Sequence, residues 1–180
     1  MLFRSHERVA KHIFSNPSQA IRIQAGNYFK RPGSDKLWSI PNIAALKGNA
    51  AKGKKVFQNS CANCHRAGKT GQNIGPELTL IKKKFDQLGL LDAIINPSGG
   101  IVFGYEAWSV TTHDGESAFG FIVADGQTLV IRDLLGQQHA FPANKVAKRQ
   151  KQPGSLMPDP VALELSEQDL ADVSRFLLEL

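Results

Sequence analysis

Cysteine is scarce: two among 180 residues, Cys61 and Cys64. That excludes a disulfide scaffold, and with only two residues between them their chemistry is local. Long apolar runs are missing too. The longest candidates, such as Leu88 to Ile95, are broken by Gly89 and Asp92 and fall short of the roughly 18 residues a membrane-spanning helix needs. No membrane span is expected. Acidic residues are outnumbered, 16 against 22 basic, for a net charge of +6 and a pI near 9.4. Such a balance suits acidic partners, nucleic acid or an anionic surface without choosing among them. Residues 1–14 carry His6, Glu7, Arg8, Lys11 and His12 and so lack the uninterrupted apolar stretch of a secretory signal. Any export signal is expected outside this chain.

What is present has the balance of an ordinary globular protein, 42% apolar and 21% charged with 16 Gly and 9 Pro, and its length suits one domain plus an appendage. Residues 4–30 read as helical, with Asn16-Pro17 as cap and first turn and Ile21, Ala25, Tyr28 and Phe29 on one face. Arg31-Pro32-Gly33-Ser34 ends that pattern, and residues 31–48 read as a linker packed on a surface through Leu37, Trp38 and Ile40. A boundary is placed near Leu46. A helix is expected over 49–59, and mostly helix over 76–96 with a break near Gly89. The period then changes to two: 105–112, 117–124, 128–133 and 138–142 read as short antiparallel strands joined by Asp-Gly and Leu-Gly turns. Ser166-Glu167-Gln168-Asp169 opens a final helix with Leu170, Val173, Phe176, Leu177 and Leu180 as its apolar face.

Chemistry concentrates in Cys61-Ala62-Asn63-Cys64-His65, the C-x-x-C-H pattern that attaches a c-type haem. Two thiols on one helical turn reach the two vinyl groups on one porphyrin edge, and the next residue supplies an imidazole to the iron. The alternatives are a zinc site, for which no third cysteine exists, and a thioredoxin-type pair, for which no βαβ unit is in sight. A second axial ligand must come from elsewhere in the chain. Only Met1 and Met157 are methionines, and Met157 lies in the turn-rich run Ser155-Leu156-Met157-Pro158. A loop lets a side chain hang over a haem; the other fate of a methionine is to fill a gap in the core. His113 and His139 are the competing ligands and read as surface residues of the β unit.

The ordered set Gly53-x-x-x-Phe57, Cys61-x-x-Cys64-His65, Gly75-Pro76-x-Leu78, Leu156-Met157-Pro158 and a last helix with Phe176 resembles the class I cytochrome c fold. The resemblance implies that the first and last helices of the fold cross through Gly53, Phe57 and Phe176. It also implies that Pro76 gives its carbonyl to the free nitrogen of His65, and that Cys61, Cys64, His65, Pro76, Leu78 and Met157 hold one covalent haem c, with His65 and Met157 on the iron. The interval from His65 to Met157 is longer than a minimal cytochrome c needs. Its Asn96-Pro97-Ser98, Val110-Thr111-Thr112-His113-Asp114-Gly115 and Gly120-Phe121-Ile122 are similar to the haem-binding domain that ends large multidomain proteins of planctomycetes, verrucomicrobia and bacteroidetes.

The expectation is therefore a mainly α protein: a cytochrome c domain over 46–180 with a small antiparallel β insertion at about 105–150. Before it, residues 1–45 are expected to form a helical segment and linker, read as a remnant of an upstream helical-repeat domain. The resemblance implies a non-enzymatic electron carrier, serving a redox partner protein or a fused dehydrogenase outside this chain, in a periplasmic or other extracytoplasmic compartment. A haem-based gas or redox sensor is the alternative. No nucleic acid partner and no partner copy are expected: the β unit is like small SH3-like barrels that bind RNA but lacks a dense aromatic set. Gly48 to Lys55 approaches a phosphate-binding loop, yet Lys55 stands where Ser or Thr would hold magnesium and no strand precedes it. Lys82-Lys83-Lys84 and 145–151 read as solvated faces. Lys52, Lys54, Lys55, Arg66, Lys69, Lys148, Arg149 and Lys151 flank the two ligand segments and are expected to steer an acidic partner.

Overall fold

The computed structural model describes residues 2–26, 28–31 and 37–180. Chain order gives α1 (Leu2–Phe14), α2 (Gln19–Ala25), α3 (Ile40–Ala45), α4 (Ala50–Ser60), the two-residue strands β1 (Arg66–Ala67) and β2 (Thr70–Gly71), and α5 (Gln87–Ile95). Five strands follow, β3 (Ala107–Thr112), β4 (Ser117–Asp125), β5 (Thr128–Arg132), β6 (Gln138–Pro142) and β7 (Val146–Lys151), and then α6 (Glu167–Leu178). Among the described residues no helix is long and apolar enough to cross a membrane.

The crossing of α4 and α6 is the centre of the helical part. Asn49 caps α4, its side chain accepting from Lys52 N at 3.0 Å while its own amide donates to Asp172 Oδ1 of α6 at 2.8 Å. Ser166 and Asp169 form a reciprocal capping box at the start of α6, as the S-x-x-D spacing predicts. At Gly53 a Cβ would overlap Asp172 O and reach 2.9 Å from Phe176 Cβ. Only glycine admits so close an approach of the two helices. Phe57 and Phe176 meet four residues on, ring centroids 5.7 Å apart, and Phe57 is buried with Ala67, Ile81, Leu90, Val173 and Leu177.

Several expectations for the first 96 residues need correction. Asn16-Pro17 does not cap α2: the helix starts two residues later, and Asn16 Oδ1 accepts from Ser18 N at 2.8 Å, turning the chain between α1 and α2. Of the face proposed for it, Ala25 is buried and Phe29 packs beside it, but Ile21 and Tyr28 are exposed. The Pro32-Gly33-Ser34 stop lies outside the described residues. Trp38, Ile40 and Ile43 are not a surface linker, since they are buried with Leu91, Ile95, Leu170 and Ala171. Residues 76–96 are mostly not helix: a 3-10 turn over Ile81–Lys83 precedes α5, which begins only after Asp86 accepts from Gly89 N at 2.8 Å. Gly89, expected as the break, sits inside α5 and is buried there.

The N-terminal helices join this core through charge as well as packing. Arg22 of α2 reaches Asp92 of α5 through Nη2 at 2.7 Å and Nε at 3.1 Å, both side chains buried, and Asn96 Nδ2 donates to Phe14 O at 3.1 Å.

The sheet is antiparallel throughout in the order β6-β5-β4-β3-β7. Its four-strand meander matches the alternating pattern in the sequence. The fifth strand comes from the basic stretch, where Val146–Lys151 returns to pair with β3 after a 3-10 turn over Ala143–Lys145. Val110, Leu129, Ile131 and Phe141 form its buried core. Among the described residues a five-stranded sheet stands beside six helices, so the expectation of a mainly α protein is not borne out; the sheet is a substantial second part. Nor is the basic stretch uniformly free: Lys145, Arg149 and Lys151 pair with Asp114, Asp125 and Glu106 at 3.7, 2.7 and 3.3 Å.

Candidate functional site

Cys61 is the C-cap of α4, its amide bonded to Phe57 O at 2.9 Å. The chain keeps turning beyond it, with Cys64 N and His65 N both donating to Cys61 O at 3.1 and 2.9 Å. Both thiols are free and half-buried, on a turn that follows directly from the helix. Burial first, and then its neighbour Cys64, pushes the Cys61 thiol up to about 11; burial also raises Cys64. In the unmodified chain both are therefore thiols rather than thiolates at neutral pH.

A strap over residues 71–76 then passes back across the motif. Gln72 N bonds Ala62 O at 2.8 Å, and Ile74 N and Gly75 N both bond Cys64 O, at 3.0 and 2.7 Å. Two glycines make the fit possible. Gly71, at φ +96°, takes a left-handed turn in which a Cβ would overlap His65 O, and at Gly75 a Cβ would lie 2.9 Å from His65 Cε1. Pro76 O lies 2.7 Å from His65 Nδ1. A carbonyl can only accept, so Nδ1 carries the proton and Nε2 keeps its lone pair. Burial lowers the imidazole's pKa, partly offset by the Pro76 bond, and favours the neutral ring that ligates metal. Leu78 packs partly buried on the Phe57 cluster, and its amide donates to Arg66 O at 2.8 Å.

Cys61, Cys64, His65, Pro76 and Leu78 thus belong to one connected turn-and-strap assembly. Met157 is in the irregular stretch between β7 and α6, half-buried, its amide donating to Ser155 Oγ at 3.1 Å, and among the described residues no hydrogen bond joins it to that assembly. Among the described residues it is not grouped with the apolar clusters around Trp38, Phe57, Val110 or Phe14. Of the competing ligands, His139 is engaged with Asp133 Oδ2 at 2.8 Å, and His113 is exposed in the turn between β3 and β4. Sequence reasoning missed Gly71, whose only signal was a Thr-Gly pair, and the carbonyls of Asn73 and Ile74, which carry no side-chain signal at all.

The donor set fits a haem. It offers two thiols, one neutral imidazole with a single available nitrogen, and a glycine that leaves the ring's flank unencumbered. Among the described residues no group of three or more His, Cys, Asp or Glu side chains could hold a bare metal ion. The Cytochrome c family matches residues 50–109, a span holding α4, the motif, the strap and α5. Cytochrome c6 from Rippkaea orientalis (strain PCC 8801 / RF-1) is 49% identical over 53 residues, which is 28% of this chain and 46% of that protein. The chain thus spans about half the length of this curated relative. Residues 50–109 are thus similar to class I c-type cytochromes, a family that implies covalently bound haem c with iron.

Proposed function

We propose that the chain is a monohaem electron-transfer module that passes single electrons between a fused or docked dehydrogenase and an acceptor. It is a carrier and not an enzyme, works as a monomer in a periplasmic or other extracytoplasmic compartment, and takes no nucleic acid. The unit spans residues 46–180 with the sheet as its insertion, a subtype like the haem-binding domain that ends large multidomain bacterial proteins. When bound, haem c supplies a one-electron ferric/ferrous couple. Cys61 and Cys64 hold the group by thioether bonds through partner exchange, His65 gives Nε2 to the iron, and Pro76 and Leu78 complete the wall on that side. Met157 would supply the second ligand to the iron, and a thioether together with an imidazole would raise the potential and suit acceptance of electrons from a dehydrogenase.

The observation that carries this reading is the bond from His65 Nδ1 to Pro76 O, which fixes the tautomer with Nε2 available, directly after Cys64 and four residues after Cys61, both free thiols. The test is expression with a c-type maturation system. Colour is expected to stay with the polypeptide through acid-acetone extraction, at a mass one haem above the sequence. Met157→Ala is expected to abolish the weak far-red sulfur-to-iron band, lower the potential and open the iron to carbon monoxide, while His113→Ala and His139→Ala leave the spectrum alone. A colourless protein refutes the cofactor; an unchanged Met157→Ala spectrum refutes the ligand.

A further inference from the structure

β5 ends in Arg132, whose guanidinium leaves the sheet altogether. Nη1 donates to Asn73 O at 3.2 Å and Nη2 to Ile74 O at 3.0 Å. Those carbonyls belong to the two residues just before Gly75 and Pro76, in the strap whose Ile74 and Gly75 amides bond back to Cys64 O. The strap is therefore held along both edges, by the haem-attachment turn on one and by the sheet on the other. The turn after β5 touches it too, since a Cβ at Gly136 would lie 3.7 Å from Ile74 Cδ1.

Arg132 bears a cost for this placement: its Nε is buried with no partner among the described residues, a penalty that an arginine turned to solvent would avoid. Its main chain is fixed as well. A Cβ at Gly120 of β4 would overlap Arg132 O, so glycine there lets β4 close onto the residue that makes the clamp. Two successive carbonyls at this spacing suit a planar fork of donors, which arginine has and lysine lacks.

We infer that Arg132 is a positioning residue for the His65 imidazole: by holding the Asn73 and Ile74 carbonyls it keeps Pro76 O against Nδ1–H, so the sheet governs how strongly His65 donates to the iron. The final clause rests on the electron-transfer reading; the clamp itself does not.

The experiment uses the full chain as the holoprotein, with Arg132→Lys, which keeps the charge and loses the fork, and Arg132→Gln as a second variant with a planar donor. Proton exchange at His65 Nδ1–H and at the Gly75 amide, followed by NMR, is expected to quicken on the order of tenfold in both, as loss of a charge-assisted bond shifts an opening equilibrium by about that factor. Amides of β3 and β7 should exchange as before. In Arg132→Lys the reduction potential is expected to rise, because a looser Pro76 bond makes His65 a weaker donor to the oxidised iron. Unchanged exchange and potential overturn the inference, whatever happens to the melting temperature. A wild type without covalent haem overturns the electron-transfer reading instead, and the exchange measurement on the same chain still decides the role of Arg132.

Discussion

Where α4 meets α6, one added carbon at Gly53 has nowhere to go, because backbone on one side and Phe176 on the other already occupy the space. In the turns that join the strands, a Cβ at Gly115 or Gly126 would meet nothing within 4 Å, and inside the strands close approach of main chains is confined to Gly120 beside Arg132. The helical part holds its geometry by close approach of main chains over a filled interior, so its tolerance is set by atomic clearance. The sheet holds its geometry by its ladder, a small core of Val110, Leu129, Ile131 and Phe141, and ion pairs on its surface. The contrast matters because the strap that touches His65 is tied to both parts. From the helical side it takes its position relative to Cys64, and from the sheet side it takes its restraint.

The largest test of that contrast is Gly53→Ala. With backbone as the obstacle, overpacking is expected to remove about 3 kcal/mol, read by denaturant unfolding. Ile131→Val deletes one buried methylene from the sheet's core and is expected to cost about 1 kcal/mol by the same measurement. If the two losses come out equal, the distinction between clearance and ladder is wrong. The smallest effect concerns the turn after β5, where Asp133 Oδ1 accepts from Leu135 N and Gln137 N, both at 2.9 Å. His139 first, and those two amides next, hold the Asp133 carboxyl below the ordinary carboxylate range. A carboxyl with a depressed folded value supports the turn fully above the ordinary value of about 4, and that support is lost as the pH falls through the lower folded value. Amide shifts of Leu135 and Gln137 followed between pH 6 and pH 2 should move only at the acid end; movement centred at the ordinary carboxylate value would mean that His139 does not anchor the turn.

Elements whose signal is local were legible in the sequence. The capping box at Ser166, the alternating strands from Ala107 to Pro142 and the cysteine-histidine motif each state their purpose within a few residues. β7 was not legible because Lys148, Arg149 and Lys151 stand on an edge strand exposed along most of its length, where no face must be apolar. Trp38 to Ile43 looked like loop because its burial comes from partners far along the chain, Leu91, Ile95 and Leu170. The run before α5 is expected as helix, although Asp86 with Gly89 three residues later was a cap that could have been read. At the site, the bond between Pro76 and His65 follows from a resemblance, whereas the hold of Arg132 on Asn73 and Ile74 joins residues more than fifty positions apart and leaves no trace in either segment.

The bond from Asn49 N to Asp172 Oδ1 closes a span of 123 residues, while the strands of the meander are joined by short turns. Entropy makes the wide closure the slower event, so the sheet has every reason to assemble while α4 still waits for α6. Cys61 packs against the Phe57 cluster, to which α6 contributes Val173 and Leu177, so until α6 arrives that cluster lacks part of its cover. The order of assembly therefore gives the thiols a period of accessibility before the helix crossing shuts. Timed alkylation during refolding would follow it directly: Cys61 should become protected together with the amides of α6, and after those of β4 and β5.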